Sequence, residues 1–393
     1  MYNRSVVFAS ACAGMLLFGI VMLSLGTINT FLVAKFSLTQ IAVGSLAALL
    51  PFGILAGSLV FGPIVDRYGY KTPLTVSSFL IFAGLEAIAY ASTLPVVQLS
   101  FFLIGFGGGV INGGTNALVA DISSDGRGAR LSLLGVFFGV GALGMPAVTG
   151  ALLKLYSYET IVAGVGVVVI VPILFFLLSS FPAPKQAQGF PLKKALGLLR
   201  DATLIFMGLI LFFESGLEGM ANAWTTTYLQ KQINASTEDA LFALTLLLAS
   251  LTAARLVLGG VLKRFPPSRV LYASVAIAFA GGVVLLQSRT FASALVAFVL
   301  LGVGFAGTFP IVFSFVGERY SALTGTAFSV VLVIALLGNT LLNYCVGLIS
   351  ESAGIQQFPL VMLASIATMA VLVWVVVKRS AGAPSQSHTA PQP

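Results

Sequence analysis

Apolar residues run along this chain in blocks, not in alternation. Twelve predominantly apolar windows begin near Val6, Ile41, Thr72, Pro95, Leu131, Thr160, Thr203, Asp239, Ser268, Phe291, Leu323 and Phe358, divided by short polar or Gly/Pro breaks. A bilayer core of roughly 30 Å takes about 20 apolar residues in a helix, so each window predicts one membrane-spanning helix. Spanning strands would alternate over segments of about ten residues, and these windows do not. The first window is too long for a secretory h-region and lacks a convincing cleavage site, so it counts as a span. One break is long, "FPAPKQAQGFPLKKALGLLR" at 181–200, and it leaves six windows on each side. The expected organisation is all-α: a six-helix bundle over 1–180, a linker over 181–200, a second six-helix bundle over 201–378 and a disordered polar tail over 379–393.

The halves share landmarks. Shifting the second half by 197 residues places Gly216 on Gly19, Gly259 on Gly62, Arg264 on Arg67, Gly302 on Gly105, Gly304 on Gly107, Glu318 on Asp121, Gly325 on Gly128, Ser329 on Ser132, Gly338 on Gly141 and Gly347 on Gly150. A single gapless offset across five helices marks a duplicated unit. Parallel halves related by an axis along the membrane normal are the build of a transporter that rocks about a site at mid-depth. The expected fold is therefore two pseudo-symmetric bundles around a central cavity.

Composition agrees, and charge adds direction. With 58% hydrophobic residues, 8% charged residues and a mean hydropathy of +1.05, the chain has too little polar surface to cover a soluble globule. The net charge of +8 raises the question of a nucleic-acid partner, which the placement of the cations answers. Arg4, Arg67, Lys71, Arg127, Arg130, Lys185, Lys193, Lys194, Arg200, Lys263, Arg264, Arg269, Arg319, Lys378 and Arg379 fall on one side of the predicted spans, and only Lys35, Lys154, Lys231 and Arg289 on the other. That is the positive-inside pattern: it places both termini in the cytoplasm of a cell whose plasma (bacterial inner) membrane the chain crosses, and no nucleic acid is needed to explain the charge. Cys12 and Cys345 stand in apolar windows without metal spacing and read as packing residues. His388, the single histidine, is in the tail "SAGAPSQSHTAPQP", so no cofactor, metal site or His-based chemistry is expected.

The stretch "GPIVDRYGYK", with Gly62, Asp66, Arg67, Gly69 and Lys71, resembles the loop signature of the major facilitator superfamily between its second and third helices. A weaker copy, "GGVLKRF" at 259–265, has Lys263 where the first has Asp66. The stretches "NGGTNALVADI", "LLGVFFGVGALGMP" and "ESGLEGMANAWTTTYL" are similar to helices four, five and seven of the fucose/glucose permease-like branch of sugar:proton symporters. The resemblance spans about residues 6–378 and implies that the signature acts as a conformational latch. Topology alone would not require Asp66, and Arg127 and Arg130, flanking Gly128, are its candidate partners.

Two amides sit inside "GFGGGVINGGTNALVAD". Asn112 and Asn116 lie one turn apart with Thr115 beside them, and serve either as interhelical glue worth on the order of 1 kcal/mol each or as contacts to a polyol. The resemblance favours the second, since the fourth helix of the superfamily faces the cavity. Asn112 departs from the fucose-permease pattern, which has an acid there, and Gly26 stands near the place of its first-helix acid. That proton pair therefore does not carry across.

The seventh window offers other acids. Glu214, Glu218 and Asn222 recur every four residues, followed by Trp224 and Tyr228. Membrane-embedded carboxylates are functional candidates because they need pairing, hydration or a proton. Glu218 is expected to bind solute or couple transport to protons, Trp224 either to stack on a sugar or to anchor at the interface, and Arg255 to pair with Glu214 or Glu218. Glu86 has no assigned role, and Asn339 and Asn343 read as glue. The function expected is a secondary-active, non-enzymatic transporter of a small polar solute, a sugar, by alternating access with proton coupling, working as a monomer. The alternative is a drug or metabolite efflux antiporter, since "GVGALGMPAVTG" loosely resembles the Gly-Pro antiporter motif, although Met145 interrupts it.

Overall fold

The computed structural model describes residues 2–123, 125–187, 189 and 191–382, with side chains at all of these except 24–27, 29–30, 40–41, 43–45, 47 and 380–382. His388 and the tail beyond residue 382 lie outside the described residues, and Gly26 falls among the positions whose side chains are not described.

Among the described residues the twelve windows become twelve helical spans long and apolar enough to cross a membrane. The first half comprises α1 (Arg4–Phe36), α2 (Gln40–Tyr68), α3 (Lys71–Ala89), α4 (Leu94–Ile122), α5 (Arg127–Leu152) and a sixth span made of α6 (Tyr158–Val168) and α7 (Ile170–Leu178). A short α8 (Leu192–Leu198) lies in the long break. The second half comprises α9 (Ala202–Gln232), α10 (Thr237–Arg264), α11 (Pro267–Gln287), a tenth span made of α12 (Phe291–Phe305) and α13 (Thr308–Arg319), then α14 (Thr324–Ala353) and α15 (Phe358–Gly382). The last helix runs four residues past the expected boundary at 378. The interruptions of the sixth and tenth spans coincide with Pro172 and Pro310, which lack the N–H that the carbonyl four residues earlier would accept. Side-chain caps start several spans: Asp201 accepts from the amides of Thr203 and Leu204 at 2.8 and 3.2 Å, and Ser236 from Asp239 at 3.0 Å. Each satisfies donors that a helix start leaves open.

Helices meet where glycines allow it, and they meet twice. Gly19 of α1 lies on the backbone of α5 at Phe138, Gly141 and Ala142, and 197 residues later Gly216 of α9 lies on Gly338 and Leu342 of α14. Gly105 of α4 packs on Leu50 and Gly53 of α2, as Gly302 of α12 packs on Leu247 and Leu251 of α10. Gly107 packs on Ser77 and Ile81 of α3, as Gly304 packs on Ala278 of α11. A side chain at most of these points would collide with the neighbouring backbone, so the small residue sets the helix separation. The repeat read from the sequence is a repeat of contacts.

The outer surface is apolar. Phe52, Leu59, Leu99, Val171, Leu178 and Trp374 are all more than half or nearly half exposed, a surface for lipid rather than water.

Candidate functional site

The halves are joined near the face that carries the long break, called here the basic face. At the end of α2, Asp66 is 1% exposed and accepts from the Gly325 amide at 3.0 Å, the Thr326 amide at 2.8 Å and the Thr326 hydroxyl at 2.6 Å. Those amides open α14, so the carboxylate caps the positive end of a helix from the other half. Gly62 lets α2 touch Gly325, Gly69 turns the chain at φ +79°, Lys71 starts α3 in an exposed position, and Arg67 lies 5.9 Å from the ring of Tyr68.

The expected pairing of Asp66 with Arg127 and Arg130 is not formed. Arg127 Nε donates to the Ala120 carbonyl at 2.8 Å and its Nη1 to the Ser314 carbonyl at 3.4 Å, while Arg130 Nη1 reaches Ser123 Oγ at 3.5 Å. Uncapped amides of α14 lie directly at the buried carboxylate, whereas Arg127 lies along Gly317 of α13.

A residue the sequence marked only as a topology charge completes this joint. Lys185 Nζ donates to Asp121 Oδ1 at 2.6 Å, to the Ser321 carbonyl at 2.5 Å and to Thr324 Oγ1 at 2.6 Å. Asp121 also accepts from the Tyr70 hydroxyl at 2.5 Å. Burial and then the Asp121 carboxylate push the Tyr70 phenol well above its ordinary value, so it stays a donor at neutral pH. The Gln186 amide donates to the Asp66 carbonyl at 2.9 Å and its side chain to Ala322 at 3.0 Å. The linker is thus stitched into the joint.

The repeat makes a second joint. Ser132 Oγ of α5 donates to the Arg255 carbonyl of α10 at 2.6 Å; its counterpart Ser329 of α14 donates to the Ser58 and Leu59 carbonyls of α2. Residues 58 and 255 are themselves one repeat apart. Beyond the joint the halves splay. A Cβ on Gly128, Gly135 or Gly139 of α5 would meet Leu262, Arg255 or Thr252 of α10 at 3.0–3.2 Å, but nothing stands within 4 Å of Gly150, which returns to the face of Gly139.

Where the splay begins, at mid-depth, lies the ionic centre. Arg255 Nη2 donates to Glu218 Oε1 at 3.0 Å, with side chains 7% and 22% exposed. One turn earlier on α9, Glu214 is fully buried, with Thr308, Arg255 and Glu218 around it. Neither of its carboxylate oxygens has a hydrogen-bond donor among the described residues, nor does the buried Arg255 Nε have an acceptor. Asn222, one turn after Glu218, is exposed and donates to the Glu218 carbonyl at 2.8 Å. Asn339 of α14 donates to the Ser215 carbonyl at 2.8 Å and packs with Asn343 on Gly219, which ties α14 to α9. Thr308 belongs to no polar helical periodicity that would mark it in the sequence.

In the first half, Asn116 Nδ2 donates to the Asn112 carbonyl at 2.8 Å and to Asn112 Oδ1 at 3.1 Å, with Met15 of α1 3.9 Å away. Asn112 keeps partial exposure, while Thr115 is buried, bonded to the Ile111 carbonyl at 2.7 Å and packed on Gly14. Trp224 stands apart from Glu218: six residues along a helix turn it by about 120°. It lies in a cavity of ≈ 290 Å³ at the opposite face with Lys231, Ser350 and Gln356. Tyr228 packs on Phe358, ring centroids 5.5 Å apart. Glu86 turns inward against Gly166 of α6.

Two six-helix halves with a closed joint at one face and a splayed polar centre are the build of a membrane transporter. The family model of the Major Facilitator Superfamily matches residues 8–341, and the chain belongs to that family. An uncharacterized transporter of Sinorhizobium fredii is 24% identical over 344 residues, covering 87% of this chain and 90% of that one. The glucose/mannose transporter of Bacillus subtilis is 22% identical over 350 residues, with 84% of each chain covered. Among solved structures, a variant of the fucose:proton symporter of E. coli superposes with a TM-score of 0.81 at 19% identity, covering 95% of this chain and 99% of that one. The protein is an integral, multi-pass membrane transporter and not an enzyme.

Proposed function

We propose that the protein moves a small polar solute of the sugar class across the membrane by alternating access, with proton coupling, and that the structure represents its outward-facing state. The orientation rests on the cation bias, which makes the basic face cytoplasmic. The observation that carries the reading is the Glu218–Arg255 pair with exposed Asn222 at mid-depth, where α5 and α10 begin to part. A partly hydrated acid, a guanidinium and amides offer the donors and acceptors that hydroxyls need. Asn112 and Asn116 supply the same chemistry from the first half. The fucose:proton and glucose/mannose transporters named above support the solute class. Trp224 has no part in this site; we assign it to anchoring α9 against α14.

The test is uptake of labelled D-glucose, D-mannose and L-fucose into right-side-out and inside-out vesicles. Saturable, pH-gradient-driven uptake of one of them is expected. Asn112→Ala should weaken its binding about fivefold, the loss of one hydrogen bond of roughly 1 kcal/mol net. Proton-driven movement of drug-like substrates alone, in the export direction, would replace this reading with the efflux one.

A further inference from the structure

The ionic centre at mid-depth does not balance. Two carboxylates, Glu214 and Glu218, share one guanidinium, and the geometry shows which of them Arg255 serves: its Nη2 is 3.0 Å from Glu218 Oε1. Glu214 is 0% exposed, and both of its oxygens lack a donor. A carboxylate anion in that position would have no water, no counter-ion of its own and, as a donor close by, the Thr308 hydroxyl alone.

The elements around it leave few ways to neutralise it. From α9 itself comes Glu218, of like charge; from α10, Arg255, already paired; from α13, the hydroxyl of Thr308. From α14, Asn339 and Asn343 face Gly219 and Ser215, one helix face away. A sodium ion needs a shell of several oxygens, and the side-chain oxygens that act on Glu214 among the described residues are those of Thr308 and of Glu218, the latter held by Arg255.

We propose that Glu214 is a proton-binding site of this transporter, holding one proton as a neutral carboxylic acid while the basic face is closed. That proton brings the centre to one carboxylate against one guanidinium. Release transfers the proton from the carboxyl group to water and requires water to reach a group that α9, α10 and α13 seal in this state. Loss of the proton leaves a second anion beside Arg255, whose free Nε can answer it, so that Glu214 and Glu218 compete for one cation. The coupling role rests on the transport reading given above; the protonation itself does not.

The experiment is infrared difference spectroscopy of the purified full-length protein, without solute, in the region of the carboxylic-acid C=O stretch. It is done in a Glu86→Gln background, which removes the one further carboxyl group among the described residues that has a buried oxygen without a partner. A band of a water-shielded carboxylic acid is expected between pH 6 and 8, abolished in Glu214→Gln, weakened in Glu218→Gln, where Arg255 is freed to pair with Glu214, and retained when Glu218→Gln is combined with Arg255→Met. A separate Arg255→Met variant, which strands both acids, should double its intensity. Absence of the band at pH 6 to 8, its survival in Glu214→Gln, or its loss on adding sodium would each overturn the assignment. Because no solute enters the measurement, a failed uptake experiment and a failed spectrum speak to different statements.

Discussion

Asp66 shows what one side chain contributes to a joint between two halves. Its three accepted bonds all come from the first residues of α14, so it senses whether α2 and α14 are together and nothing about solute. Asp66→Asn keeps the shape and removes the charge from a helix N-terminus, an effect of about 1 kcal/mol, up to about 2 where partly buried. The closed state should lose roughly tenfold in population, with slower transport and a dissociation constant unchanged within a few-fold. Transport kinetics alongside ligand-binding titration check this, and an unaltered rate would leave Asp66 as a structural residue only. Legibility at this scale was uneven. The Arg255 pair was foreseen because a lone intramembrane cation must find an anion, and two acids lay one turn apart. The partners of Asp66 were not, because two of its three bonds come from backbone amides 259 and 260 residues away, and backbone amides leave no mark in a sequence. Lys185 was counted only as a topology charge, although its contacts link Asp121 to the start of α14.

At the scale of elements, the sequence was most informative. Block hydropathy marked every span, and the glycine offset marked the repeat, which the structure then shows to be a repeat of crossings, since a glycine opposite a neighbouring backbone is a requirement that recurs with the repeat. The azimuth of a side chain was harder: Trp224 and Glu218 sit on one helix, yet only packing decides that α14 faces the first and α10 the second. The crossings carry a direct prediction. Gly141→Leu should force α1 and α5 apart at Leu16 and Gly19 and destabilise by about 1–3 kcal/mol or more, while Gly144→Leu, in open space one turn fraction away, should be close to neutral. Thermal melting in detergent separates the two, and equal melting temperatures would remove the crossing as the reason for the glycine.

For the whole molecule, the orientation follows from charge and is open to a simple check. With Cys12 and Cys345 replaced, a single Ser268→Cys should react with a membrane-impermeant thiol reagent only after cells are opened, and a single Gln356→Cys should react in intact cells. The reverse pattern would invert the proposed topology. The two joints then have a consequence for motion. Each has its serine bond, but the one between α2 and α14 also has Asp66 and the Lys185 stitch, whereas Lys263 stands where the other would need an acid. Unequal fasteners on the two edges of one seam do not let go together. The seam should therefore tear first between α5 and α10 and swing on α2 and α14 as a door swings on its hanging side, and the first thread of water from the basic face is expected along α5, toward Arg255.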